Sequence, residues 1–294
     1  MDDYKILRDN LKECLMYWGQ DIKESDVSSF HYALMERLKL LESFKLYRYM
    51  PTNYYNIRNL EKEKIHLSTN GDFNDVYEGV PASTIEELTN KDLSPLNDSA
   101  YICCFSESCN DLLMWSHYAN AHKGICVEYD LKLLKDVDII KHIFPVVYSK
   151  KRLLKVDIND LFKNLRELNF NIFHNGDNSD IELSQLLPLL VTKGGAWRNE
   201  KEWRIIYTKQ ELYEKSDTNY IDSSLLNIEF SCVSGVYLGF RIDNEVKENI
   251  IEIIERQNKN RKKPIEIYQT TLSNSNYELG KRKIKTNKEK NRNG

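Results

Sequence analysis

The chain has 294 residues, 41% of them apolar and 30% charged, with a mean hydropathy of −0.59. That length fits one large globular domain or two small ones of roughly 100–200 residues, and no apolar run approaches the roughly 18 residues of a membrane-spanning helix. The net charge of −3 conceals an asymmetry: residues 255–294 hold twelve Lys or Arg against four Glu, a local +8 that leaves −11 on residues 1–254.

An acidic body with a basic C-terminal segment implies either a solvated tail or contact with a polyanion such as nucleic acid. The N-terminus reads Met1-Asp2-Asp3-Tyr4, acidic where a secretory leader would be basic, so no export signal is expected. Six cysteines (14, 103, 104, 109, 126, 232) include no Cys-x-x-Cys pair, which points to reduced thiols and a cytoplasmic address.

Residues 4–17 carry Ile6, Leu7, Leu11 and Leu15 at helical intervals. Residues 27–44 carry Phe30, Leu34, Leu38 and Leu41 likewise, with Ser28 or Ser29 as a candidate cap. A helical pair over residues 1–44, packed on the core, is expected. From Leu46 the pattern changes to short runs rich in β-branched and aromatic residues: Leu46–Met50, Ile65–Ser68, Tyr101–Phe105, Gly124–Tyr129 and Pro145–Ser149, with a helix over 111–121. Leucines at 161, 165, 168, 186, 187 and 190 predict a helical insertion over 155–192, broken at Asn175-Gly176-Asp177-Asn178. A glycine-paired loop over 193–199 follows, then strands Trp203–Tyr207 and Val233–Phe240, a helix Asn244–Glu255 and a strand Pro264–Thr271. This irregular alternation predicts an α+β fold, a mixed and largely antiparallel sheet with packed helices, rather than a doubly wound sheet. The core spans 45–272, and 273–294 is expected as a basic tail.

No G-x-G-x-x-G, P-loop, H-E-x-x-H or G-x-S-x-G motif occurs. His117 and His122, five apart, would point about 140° apart on one helix, which does not suit a shared metal. Cys103 and Cys104 adjoin in a strand and must face opposite sides.

Four polar-aromatic clusters exceed what packing asks for. Arg48, between Tyr47 and Tyr49 in a strand, calls for an anion, either a carboxylate of the protein or a ligand phosphate. His66-Leu67-Ser68-Thr69-Asn70 leads into Phe73-Asn74-Asp75-Val76-Tyr77-Glu78, where capping accounts for Ser68 and Asn74 better than for Tyr77 and Glu78. Trp115, His117 and Tyr118 form an aromatic cluster suited to helix-on-sheet packing or to stacking a ligand ring. Glu200 and Glu202, read as alternate residues of a strand with Trp203 and Ile205 opposed, set two carboxylates together. Their repulsion demands a cation, for which Arg48, Arg198 and Arg204 are candidates, or a catalytic use.

On these blocks the chain resembles a large, functionally obscure bacterial family with a "YKY" strand, an "FNDPFE" turn, a "CFS…MWSHYA…HKGICIEY" block and a "K…W..E.EWR" block. The likeness covers about residues 45–240, with Tyr47-Arg48-Tyr49 and Phe73-Asn74-Asp75-Val76-Tyr77-Glu78 in the first two places. It also resembles ADP-ribosyltransferases marked by a first-strand arginine, a strand-end Ser-Thr-Ser and a Glu-x-Glu doublet: here Arg48, Ser68-Thr69-Asn70 and Glu200-Lys201-Glu202. Asn70 departs from the pattern, as does the long stretch from Ser68 to Glu200.

This second resemblance implies NAD as a substrate and a macromolecular acceptor, protein or nucleic acid. Glu202 would stabilise positive charge developing on the ribose and Glu200 would orient or deprotonate the acceptor. Arg48 would hold the diphosphate, beside Tyr49 and Ser68, with Tyr77 or Trp197 stacking on nicotinamide or target. Asn74, Asp75, Glu78, Trp115, His117 and Tyr118 are candidates for substrate contact. Such a protein suits a toxin or antiviral-defence effector with a cognate partner. The alternatives are a metal-dependent nuclease built on Asp75, Glu78, Glu200 and Glu202, and a non-enzymatic sensor that binds a nucleotide or peptide.

Overall fold

A computed structural model describes residues 2–17, 24–69, 75, 100–150, 187, 190–209, 211–212 and 227–285. Two helices open the chain, α1 (Asp3–Tyr17) and α2 (Glu24–Leu40). They bury the predicted stripes, Leu7, Leu11 and Leu15 on one and Phe30, Leu34 and Leu38 on the other, and Phe30 stacks on Phe144 at 5.9 Å.

The chain then runs through β1 (Lys45–Met50), α3 (Tyr54–Glu61), β2 (Lys64–His66), β3 (Ser68–Thr69), β4 (Ala100–Ser106), α4 (Leu112–Tyr118) and β5 (Ile125–Asp130). There follow β6 (Ile143–Pro145), β7 (Val147–Ser149), β8 (Thr192–Gly194), a 3₁₀ helix (Gly195–Glu200) and β9 (Glu202–Thr208). The described chain closes with β10 (Asn227–Glu229), β11 (Val233–Leu238), α5 (Asn244–Asn258), β12 (Glu266–Leu272) and β13 (Leu279–Lys283). Among the described residues the main sheet has nine strands in the order β13-β12-β11-β5-β1-β4-β9-β6, with β3 also paired to β4. Its pairings are antiparallel except β11 with β12, so the fold is α+β with a mixed, largely antiparallel sheet.

The departures from the predicted elements have local causes. The strand expected over Ile65–Ser68 divides at the buried Leu67, because β2 pairs with β10 while β3 pairs with β4. The run Pro145–Ser149 breaks at Val146, whose N–H donates to the Glu202 carbonyl at 2.9 Å. Helix α3 has only Leu60 buried and thus no apolar stripe to betray it; the Asn53 side chain starts it by accepting from Asn56 N–H at 2.9 Å. Part of the expected tail is β13, an edge strand against β12. The insertion expected over 155–192 lies mostly outside the described residues.

The junction of β1 with β4 positions the site. β1 makes six residue pairs with β5 but a single one with β4, Tyr47 with Ser106. Further along the same strand, β3 pairs with Ile102 and Tyr101. Between these two neighbours the stretch Cys103–Phe105 of β4 is open toward β1, and a cavity fills the gap.

A tight crossing holds α4 beside that gap. Asp111 caps the helix, accepting from Leu113 N–H at 2.8 Å and Met114 N–H at 3.0 Å. Beyond its end Asn120, Ala121 and His122 take left-handed φ values of 46°, 50° and 68°, a conformation disfavoured for residues with a Cβ. Gly124 and Gly239 cross beneath this turn, Gly239 N–H donating to Gly124 at 2.9 Å and Arg241 N–H to His122 at 2.9 Å. Replacing the cap, Asp111→Ala, is expected to cost about 1 kcal/mol. An unchanged urea midpoint would show the cap to be idle.

Candidate functional site

The cavity in the gap measures about 580 Å³ and is walled by Arg48 and Tyr49 of β1, Ser68 of β3, Cys103–Phe105 of β4, Tyr118 of α4, and Lys193, Glu200 and Glu202. Residues more than 150 positions apart in the chain therefore share one cleft.

The acids are arranged differently from the predicted strand alternation. Glu200 is the last residue of the 3₁₀ helix, Lys201 turns left-handed with φ 46°, and Glu202 opens β9. Trp203 does pack away from the acids, buried edge-on against Phe44. The carboxylates are brought together by a cation outside the candidate set: Lys193 Nζ lies 2.6 Å from Glu200 Oε2 and 3.0 Å from Glu202 Oε2. Arg204 Nε holds Glu202 Oε1 at 2.7 Å, and the Tyr118 hydroxyl donates to Glu200 Oε1 at 2.5 Å. Of the three arginines proposed as counter-charge, Arg204 serves, and only for Glu202.

The same neighbours separate the two acids chemically. Burial pushes the Glu202 carboxyl up, but the charges of Arg204 and Lys193 outweigh it, aided by hydrogen bonds from Arg204 and Cys104, and hold it at about 2. Burial also pushes Glu200 up, and there Lys193 and Tyr118 offset it only in part, so its carboxyl titrates above the ordinary value. The two acids are thus shifted in opposite directions, Glu202 held in its charged form and Glu200 raised.

Backbone bonds fix the doublet from behind. Ser106 Oγ donates to the Glu200 carbonyl at 2.7 Å, and Glu202 N–H donates to the Tyr148 hydroxyl at 2.7 Å. Arg8 of α1 reaches the Glu202 carbonyl at 3.0 Å, Glu107 at 2.7 Å and the Val146 carbonyl at 2.7 Å. Helix α1 thus braces the site as well as covering the core.

Across the cavity, half-buried Arg48 makes no hydrogen bond and has no carboxylate partner among the described residues. Of the two anions its sequence setting allowed, no protein carboxylate meets it among the described residues.

Other candidates stand apart. Trp115 is wholly buried, its Nε1–H donating to the Cys109 carbonyl at 2.8 Å, so it packs and cannot stack a ligand. Tyr49 lines the cavity, but its hydroxyl donates to the Ser108 carbonyl at 2.8 Å. His117 is exposed and, like Trp197 and the buried Asp75, is absent from the described cavity wall. Trp197 is half-buried with Lys193 Nζ 4.9 Å from its ring centre, so it shields the cation that joins the acids. Asn74, Tyr77 and Glu78 lie outside the described residues. Lys193 was the residue of the cavity wall least visible in sequence; its signal was its place at the head of the Lys193-Gly194-Gly195-Ala196-Trp197 run.

A family model described as "Protein of unknown function (DUF2971)" matches residues 114–205. The match agrees with likeness to an uncharacterised family, and its span includes Tyr118, Lys193, Glu200 and Glu202 but neither Arg48 nor Ser68. No curated protein and no solved structure matches the chain. No helix among the described residues is long and apolar enough to cross a membrane.

Proposed function

We propose that the protein transfers ADP-ribose from NAD to a macromolecular acceptor, as an effector of the toxin or antiviral-defence kind. The observation that carries this reading is convergence: Arg48, Ser68, Glu200 and Glu202 wall one cavity, with Arg48 free of any carboxylate among the described residues.

The groups suit the substrate. Arg48 would hold the diphosphate through charge-assisted bonds. The edge of β4 over Cys103–Phe105, open toward β1, offers peptide groups to the nicotinamide carboxamide. Breaking the nicotinamide–ribose bond builds positive charge on the ribose, and a carboxylate fixed in a desolvated site stabilises that charge more than the ground state. Glu202 has this character. A carboxylate accepts about four hydrogen bonds; Arg204, Lys193 and Cys104 supply three, leaving room for a ribose hydroxyl. Glu200, with its raised pKa, would take the acceptor's proton. The metal-dependent nuclease fits less well, because the Lys193 ammonium sits between the two carboxylates where a shared divalent ion would have to bind.

The test is incubation with labelled NAD and a cell extract. Label transfer is expected with the native protein and is expected to vanish in Glu202→Gln and Arg48→Gln, with circular dichroism and melting confirming that both fold. EDTA-sensitive degradation of DNA or RNA without labelling would replace this reading with the nuclease. Silence in both assays would replace it with a binding module.

A further inference from the structure

We propose that a second cavity, on the far side of Tyr47, seats a nucleotide of a single-stranded nucleic acid, and that this strand is the acceptor; the second clause rests on the transferase reading, the first does not. The cavity measures about 310 Å³, and its walls include Tyr47, Cys109, Tyr237, Leu279 and Lys281. Tyr47 belongs to the walls of both cavities, so a chain lying in one continues over that ring toward the other.

Lys281 gives the cavity its charge. Its Nζ lies 5.1 Å and 4.8 Å from the ring centres of Tyr237 and Tyr268 and 3.3 Å from the Tyr237 hydroxyl, and it has no carboxylate partner among the described residues. The Tyr237 hydroxyl it meets donates to Glu128 at 2.8 Å, but that carboxylate is already paired with Lys45 at 2.8 Å, and aromatic faces hold a cation without neutralising it, so the ammonium remains available to a phosphate. Arg282, next along β13, is exposed and projects from the opposite face of the strand. Charged residues blunt an open sheet edge, which explains Arg282 and Lys283. It does not explain a lysine laid over two rings at a cavity. The one carboxylate of the described wall, Glu107, is already paired with Arg8 at 2.7 Å, and a cation beside aromatic and apolar walls is the physical pattern of sequence-tolerant single-strand binding.

The second cavity is also tied to the acids. Ser106, Glu107 and Ser108 lead into its wall, and this segment bonds to the doublet through Ser106 Oγ to Glu200 carbonyl at 2.7 Å and Glu107 N–H to Lys201 carbonyl at 3.2 Å. A nucleotide held there would be positioned by the loop that also positions Glu200.

The test uses the full chain without NAD and a fluorescein-labelled oligothymidylate of about 20 nucleotides, read by fluorescence anisotropy. Binding is expected to weaken as salt rises, with a log–log slope shallower by about 0.7 in Lys281→Gln. Tyr47→Ala is expected to weaken binding about tenfold. No binding at about 50 mM salt, or binding indifferent to the Lys281 change, would overturn the site. Equal displacement of the oligonucleotide by polyglutamate would overturn it in favour of an acidic polypeptide. Because this assay contains no NAD, oligonucleotide binding without label transfer would uphold the site while removing the transferase reading. Transferred label that resists nuclease and yields to protease would overturn the acceptor assignment.

Discussion

Lys193→Met is expected to lower the free energy of unfolding by about 3–5 kcal/mol at pH 7, the cost of removing one partner from a buried ion cluster. The lysine side chain is 5% exposed, and the two carboxylates it bridges are 9% and 5% exposed. Methionine keeps most of the packing, so the loss isolates the charge. Without the ammonium, Glu200 keeps only its bond from Tyr118, and Glu202 must share the site with a second negative charge. The pH dependence follows from the two shifts. In the native protein Glu202 titrates at about 2 instead of 4.5, so its stabilisation is complete above about 4.5 and is lost as pH falls toward 2. Glu200 is shifted upward, so its charged form costs stability above its raised pKa, and protonation relieves that cost as pH falls. Removing Lys193 raises both carboxyls, so the deficit of the variant relative to the native protein should be largest near neutrality and shrink as the acids take up protons. Urea unfolding at neutral and mildly acidic pH measures this. Lys193→Met/Glu200→Gln, which removes one of the two charges, should recover a substantial part of the loss. A single variant within about 1 kcal/mol of the native protein at pH 7 would show that the lysine does not hold the acids together.

Gly239→Ala is expected to cost about 3 kcal/mol or more, at the upper end for overpacking, and to lower the melting temperature by about 6–12 °C for a chain of this size. An added Cβ would fall closer than 3.0 Å to the carbonyls of both His122 and Gly124, which are backbone and cannot rotate away. The turn it would displace ends the helix that carries Tyr118, so the bond to Glu200 should loosen with it. Gly195→Ala is the control: its nearest neighbour to an added Cβ is the Ser149 carbonyl at 3.9 Å, so it should stay within about 0.5 kcal/mol. Differential scanning calorimetry of the two variants separates the cases. Equal melting temperatures would mean that the crossing relaxes without strain.

Local periodicity determined much of this protein from the sequence alone. The 3.6-residue stripes of α1 and α2 and the apolar runs of β1, β4, β5, β9 and β11 mark elements whose buried faces are written into consecutive residues. The same local information singled out Arg48 and the Glu200–Glu202 doublet, because a charge placed among apolar neighbours is conspicuous in the chain itself. Helix α3 escaped because it buries only Leu60, and β13 escaped because Gly280-Lys281-Arg282-Lys283 makes an exposed edge that looks like a tail. Only the tertiary structure decided what joins the acids, since the cation that meets them comes from β8 and the hydroxyl from α4. It also decided that Trp115, conspicuous in the chain, is core. The cavity itself exists because two strands, β1 and β3, share one edge of β4 and leave a gap between them. Pairing between segments far apart in the chain produces that gap, and no window of neighbouring residues records it.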